Sequence, residues 1–354
     1  MVSVEPSSAP VPGLDLPAVL AWAATAVPGL LSPGTLASLV AGGRSNLTYV
    51  LTDGDTRVIL RRPPLGHVLA TAHDMSREHR MLTALAPTRV PVPRPLALCQ
   101  DADVTGAPFY LMTYVEGRVV RTAEDAADLD TEARARVSRA MTDVLADLHG
   151  IDPDAAGLAG FGRPEGFMER QVRRWGKQLD ASRSRDLPGI EDLRAELAAS
   201  VPASSGAAVV HGDYRLDNLL VAGPGEPDEL RVRAVLDWEM ATLGDPLADV
   251  GLLLAYWDTL SRVPNEVSRG MGEAAGFPAG ATLAGWYAER RGADLAPLPW
   301  YEAFGLFKLA VIIEGIHYRF TLGQTVGEGY ERVGDVVPFL VTAGRDRLRA
   351  ATAT

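Results

Sequence analysis

His211-Gly212-Asp213-Tyr214-Arg215-Leu216-Asp217-Asn218, followed by Val235-Leu236-Asp237-Trp238-Glu239, sets an Asp, an Asn five residues on, and a second Asp behind a short aliphatic run. Moving a phosphoryl group to an alcohol needs a base for the attacking hydroxyl and oxygen ligands for the cation that neutralises the phosphates. Asp213 is the candidate base. Asn218 and Asp237 are the candidate cation ligands, because Mg²⁺ takes hard oxygen donors and leaves several positions to phosphate and water. Taken singly, Asn218 reads equally well as a turn residue and Asp237 as a strand-end carboxylate. The joint spacing carries the reading.

HGDYRLDN at 211–218 and VLDWEMATLGDPLADVG at 235–251 together resemble the aminoglycoside phosphotransferase and choline kinase-like family, which shares the protein-kinase fold. Against the protein-kinase loop H-R-D-L-x-x-x-N, the Asp-to-Asn spacing is the same and Gly212 stands in place of Arg. VILRRPPLG at 58–66, PVPRPLALC at 91–99 and GFMERQVRRWGKQL at 166–179 resemble a bacterial branch that includes the kinase-like domain fused to acyl-CoA dehydrogenases in animals. The likeness runs over residues 30 to 345 or so. It implies an α+β, two-lobed protein-kinase-like fold, with a small N-terminal β-sheet lobe and a larger, mainly helical C-terminal lobe. The expected division is a tail and helix over 1–30, a nucleotide-binding N-lobe over 31–116, and a C-lobe over 117–354 with the catalytic loop and substrate-binding helices.

The same resemblance implies ATP (or GTP) and Mg²⁺ as cofactors. In Val58-Ile59-Leu60-Arg61, Arg61 stands where a phosphate-gripping Lys is expected, with Glu78 as its helix partner. Arg62 competes, because strand alternation sends neighbouring side chains to opposite faces. No G-x-G-x-x-G is present; Gly42-Gly43-Arg44-Ser45-Asn46 takes its place, with Ser45 and Asn46 as candidate phosphate contacts. Met112 to Gly117 would form the hinge, the Thr113 carbonyl and the Val115 amide meeting the adenine edge. His211 is expected to pack and hold the loop. Asp249 is expected to accept hydrogen bonds from the loop backbone.

The remaining sequence fits this layout. Asp15 is placed to cap a helix over 16–26, and short strands follow at 35–40, 47–51 and 57–61, the last two joined at Thr52-Asp53-Gly54-Asp55. Helical spacing over 70–85 puts Met75, His79, Leu82 and Leu85 on one side. Pro91, Pro93 and Pro95 force an extended segment before a strand at 109–115. Helices are expected at 132–149, 167–182, 247–260, 281–291, 299–321 and 335–350, with short strands between 208 and 237. Strands first and helices later is the order of an α+β protein.

Composition narrows the function. At 354 residues and 47% hydrophobic, the chain is long enough for two lobes. A net charge of −11 argues against a broad nucleic-acid footprint, and no apolar run approaches a membrane span. One cysteine, Cys99, suits a reducing, cytoplasmic setting, and the N-terminus lacks the features of a signal peptide. Nothing in the sequence sets an oligomeric state.

The expected partner is therefore a small-molecule hydroxyl substrate, phosphorylated at an alcohol oxygen. Arg170, Arg173, Arg174 and Lys177, at i, i+3, i+4 and i+7, put four cations on one helix face. Such a face would attract a carboxylate, a phosphate or a CoA tail if it borders the cleft, and a solvated basic stripe is the slightly favoured reading. Glu314 and His317 are a second candidate substrate wall. A hydroxyacyl-CoA or hydroxy-acid acceptor is preferred, with an aminoglycoside or other amino alcohol as the alternative. A nucleotide-binding pseudokinase or regulatory module is the reading from another class.

Overall fold

A computed structural model of the chain describes residues 11–40, 46–65, 74–226, 229–265, 267, 269–324 and 330–352. It divides into two compact units, one of the residues up to Arg118 together with Arg233–Ala241, the other of Val119–Val232 and Thr242–Thr354. The return of 233–241 to the first unit differs from a single boundary near 117. Its cause is hydrogen bonding, from Val235 N to the Pro91 carbonyl (2.8 Å) and from Arg233 to the Glu116 carbonyl (3.4 Å).

The first unit is built on an antiparallel sheet of β1 (Leu36–Leu39), β2 (Leu47–Asp53), β3 (Thr56–Arg62), β4 (Pro95–Cys99) and β5 (Phe109–Thr113), in the order β1-β2-β3-β5-β4. β2 and β3 pair from Leu47 opposite Arg62 to Asp53 opposite Thr56, and Gly54 takes the left-handed φ of +58° that closes the hairpin. Alternation along the strands sends Tyr49, Leu51, Val58, Leu60, Phe109 and Leu111 into a core with Val19 and Ala23 of α1 (Leu16–Ala26). Asp15 caps α1, accepting from Ala18 N at 3.0 Å, and Trp22 meets Phe109 edge-to-face at 4.9 Å. The helix thus packs on the sheet.

On α2 (Met75–Leu85), Asp74 is the cap, so the described helix starts later than position 70. It buries Met75, Glu78, Leu82 and Leu85, while His79 is only half-buried. The buried carboxylate displaces the expected histidine because Arg61 pairs with it.

The second unit is mainly helical: α3 (Thr131–His149), α4 (Phe167–Ser182), α5 (Ile190–Ala199), α6 (Leu247–Leu254), α7 (Gly280–Arg291), α8 (Leu298–Thr321) and α9 (Val337–Thr352). Short strands β6 (Ala208–Val210) and β9 (Thr242–Gly244) pair antiparallel, with β7 (Leu219–Val221) and β8 (Val232–Val235) lying between them in the chain. α8 is buried on nearly all sides, as its apolar sequence requires, and packs on α4, α6 and α9. α5 was not anticipated. The helix expected over 247–260 is regular only to Leu254, where a π turn over Ala255–Thr259 and a 3₁₀ turn over Leu260–Arg262 take over. Among the described residues, no helix is long and apolar enough to cross a membrane.

Candidate active site

In the first unit, strand parity decides between the two arginines. Arg61 points to the α2 face, its Nε 2.9 Å from Glu78 Oε2, and it also pairs with Asp237 Oδ1. Arg62 points to the opposite face and donates to the carbonyls of Gly13 and Thr105. Glu78 is 2% exposed and accepts from Asn46 Nδ2 (2.9 Å) and from the Tyr110 hydroxyl (3.0 Å). Asn46 also reaches Glu239 at 3.1 Å. Burial pushes the Glu78 carboxyl above the ordinary carboxylate range, and the Arg61 charge opposes that rise. Burial acts against the Arg61 guanidinium too, but Glu78, Asp237 and Glu239 outweigh it and hold Arg61 protonated.

Asp237 itself sits at φ +65°, ψ +66°, a conformation that costs a non-glycine residue about 1 kcal/mol or more. The Trp238 indole, donating to the Val235 carbonyl at 3.0 Å, braces the turn. Arg61 takes Asp237 Oδ1, and Oδ2 has no partner among the described residues. Thr113 closes β5, its hydroxyl accepting from Arg94 N at 2.9 Å; Val115 lies beyond the strand and is half-buried. Ser45 falls outside the described residues.

In the second unit, the catalytic loop follows β6. Gly212 has φ +84°, which accounts for glycine where the protein-kinase loop has Arg. Asp249, on α6, accepts from His211 N (2.7 Å) and Gly212 N (2.8 Å), and His149 Nε2 lies 3.2 Å from it. Burial alone would raise the Asp249 carboxyl, but the His149 hydrogen bond and the loop amide leave it below the usual range. His211 is fully buried, and its Nδ1 accepts from Asp213 N at 3.2 Å.

Asp213 keeps 28% of its side chain exposed. The Tyr256 hydroxyl donates to Oδ1 (3.2 Å), and Asn218 Nδ2 donates to Oδ2 (3.2 Å) and to the Asp213 carbonyl (2.9 Å). Arg215 Nε stands 3.7 Å from Oδ2, and its guanidinium lies 4.9 Å over the Tyr256 ring. With Nδ2 spent inside the loop, the carbonyl oxygen of Asn218 is the atom left to offer a cation. Burial and the Asp213 charge push the Tyr256 hydroxyl up, so it remains a donor. Asp217, which the sequence left without a role, pairs with Arg215 at 3.3 Å, and burial raises its carboxyl.

Two residues at this loop escaped the sequence reading. Tyr256 comes from the π turn after α6, and Lys308 on α8 donates from Nζ to the Gly212 carbonyl at 2.7 Å. Lys308 had a signal, as the sole charge in the apolar run from Ala303 to Ile313. Tyr256 had none, because its position depends on where the α-helix gives way.

The candidate acceptor walls depart from expectation. Arg170 folds back onto the carbonyls of Arg163 and Glu165, tying the start of α4 rather than extending a cationic face. Arg173, Arg174 and Lys177 are exposed, because the opposite side of α4 is buried through Phe167, Met168, Val172, Trp175 and Leu179. Glu314 is fully buried, and both of its oxygens are engaged: Oε1 accepts from the Ser184 hydroxyl (3.1 Å), Oε2 from Arg185 (3.0 Å). It is a structural tie, with no oxygen left for an acceptor. His317 is half-buried and packs against Gly334.

Among the described residues, no group of three or more His, Cys, Asp or Glu is placed to hold a metal. The Asp237 carboxylate in the first unit and the Asn218 amide carbonyl in the second are each a hard oxygen donor of the kind that Mg²⁺ takes.

The family model of the phosphotransferase enzyme family matches residues 37–291. Acyl-CoA dehydrogenase family member 10 of Mus musculus is 36% identical over 289 residues, covering 80% of this chain and 26% of its own length. Acyl-CoA dehydrogenase family member 11 of Rattus norvegicus is 34% identical over 317 residues, covering 88% of this chain and 40% of its own. The chain thus spans about a quarter to two fifths of the length of these curated relatives. A crystal structure from Ralstonia eutropha, provisionally named an aminoglycoside phosphotransferase, superposes with a TM-score of 0.80 at 31% identity, covering 95% of this chain and 98% of that one.

Proposed function

This chain belongs to the phosphotransferase enzyme family and has its two-lobed, protein-kinase-like fold; on that premise we propose that it moves the γ-phosphate of ATP to the hydroxyl of a small hydroxy acid or hydroxyacyl-CoA. The carrying observation is the state of Asp213, partly open to solvent and oriented through both carboxylate oxygens by Tyr256 and Asn218. In this reading Asp213 accepts the proton of the acceptor hydroxyl as its oxygen bonds to the γ-phosphorus and the bond to ADP breaks. Arg61, braced by Glu78, is the candidate grip on the nucleotide phosphates, with the Thr113 carbonyl and Val115 amide as adenine contacts. Asn218 and Asp237 would hold Mg²⁺, which when bound neutralises the phosphate charge.

The acceptor preference rests on the charges around the base. Arg215 stands beside the Asp213 carboxylate, and the Lys308 ammonium sits behind its loop. Of the two, Arg215 is the one partly open to solvent, and it is the candidate contact for a carboxylate or phosphate on the acceptor, although Asp213 and Asp217 share its charge. The relatives named as acyl-CoA dehydrogenases point the same way. Buried, unpaired Cys99 suits a reducing, cytoplasmic setting.

The test is γ-³²P transfer from MgATP across a panel of hydroxy acids, hydroxyacyl-CoAs and kanamycin. Phosphorylation of a hydroxy acid or its CoA ester is expected, with Asp213→Ala reducing turnover by about 10² to 10⁴. Good turnover of kanamycin with none of the hydroxyacyl compounds would reverse the acceptor assignment. One observation favours a second reading, a nucleotide-binding module without transfer: Arg61 pairs with Asp237, the carboxylate assigned to the cation. Nucleotide binding with no ATP consumption for any acceptor would select it.

A further inference from the structure

α8 carries one charge in the apolar run from Ala303 to Ile313, and that charge is buried. Lys308 is 7% exposed. Its Nζ donates to a single backbone oxygen, the Gly212 carbonyl, and lies 5.3 Å over the Trp175 ring. The charges that act on it are Asp213 and Asp249, which favour the ammonium, and Arg174, which opposes it. Taking an ammonium out of water for one carbonyl and one aromatic face is unfavourable, and Met would fill the same volume with no charge to desolvate. A burial of this kind points to a purpose outside stability.

That purpose is visible in the peptide the lysine holds. The Gly212–Asp213 peptide is gripped at both ends: Lys308 takes its carbonyl, and His211 Nδ1 takes its N–H. The preceding amides, of His211 and Gly212, are held by Asp249. Gly212, at φ +84°, is the most freely rotating residue of the loop, so the plane of this peptide sets where the Asp213 side chain leaves the backbone.

We propose that Lys308 is a positioning residue for the base, fixing the Gly212–Asp213 peptide from α8 at a net cost to the stability of the protein. The inference rests on the phosphotransfer reading of Asp213. A base displaced by a fraction of an ångström loses much of its rate, while Arg61 and Glu78 of the other unit make no contact with this lysine.

The experiment compares Lys308→Met and Lys308→Arg with wild type in the full chain, by thermal melting and by steady-state ADP release from MgATP with an acceptor the wild type turns over. For Lys308→Met, a Tm equal to or above wild type is expected, with kcat lowered about tenfold or more and KM for MgATP within about twofold. Lys308→Arg, which keeps a cationic donor, is expected to recover part of kcat. A kcat within about twofold of wild type in Lys308→Met overturns the proposal. So does a Tm lowered by several degrees, which would make the lysine an ordinary structural contact. Absence of wild-type turnover with every acceptor is a different failure: it removes the phosphotransfer reading, and the positioning role with it, before any variant is compared.

Discussion

At the scale of single residues, the functional positions divide by whether their geometry is local. Asp213 and Asn218 are five apart, and a single loop brings the amide of one against the carboxylate of the other, so their relation was legible in HGDYRLDN. Arg61 was legible only to within one position, since strand alternation separates Arg61 from Arg62 but does not say which face α2 covers. The answer came from Glu78, whose buried carboxylate requires a cation on its side of the sheet. That dependence is testable. Arg61→Met removes the partner of a carboxylate with 2% exposure and is expected to destabilise the fold by about 3–5 kcal/mol. Adding Glu78→Gln should return a large part of that loss, because it removes the stranded charge. Chemical denaturation of the two single variants and the double variant measures the coupling, and simple additivity would show that the pair does not act as one unit.

At the scale of elements, period and caps located most helices, and misses arose where tertiary packing sets the element. α4 ran from Phe167 to Ser182 as its 3.6-residue pattern required, yet its cationic side turned out to face solvent, with Arg170 recruited to its own entry loop. α5 carried signals in Glu191 and Asp192 in its first turn and Leu193 and Leu197 four apart, but it is short and follows a turn-rich stretch. The π turn at Ala255–Thr259 has no sequence signature, because it depends on how α6 lies against α8. That crossing is close: a Cβ on Gly251 would overlap the Tyr301 backbone, and one on Gly305 would meet the Gly251 carbonyl at 3.0 Å. Gly251→Ala is accordingly expected to destabilise by about 1–3 kcal/mol or more, although alanine is the better helix former. Unchanged or raised stability in urea titration would show that the crossing can relax.

At the scale of the whole molecule, unfolding in acid should report the buried carboxylate that organises the catalytic loop. Asp249 is held below the ordinary aspartate value, so its contribution is fully present above about pH 4. It is lost as pH falls through the lower folded value, where the native state must take up the proton. Wild type is therefore expected to exceed Asp249→Asn in Tm at neutral pH, and the gap should shrink as pH falls below about 4. A gap that stays constant over that window would mean that the carboxylate charge is not what the loop amides hold. By itself the sequence determined the class of fold, the family and phosphotransfer to a hydroxyl as its chemistry, and it singled out Asp213 as the candidate base, because these rest on local spacing, strand alternation and helical period. Only the tertiary structure decided that Arg61 meets Glu78, that Glu314 is a tie between segments, and that Tyr256 and Lys308 reach the catalytic loop. Those outcomes pair residues from 17 to 130 positions apart, and what selects them is the need of a buried charge or donor for a partner, which no local pattern encodes.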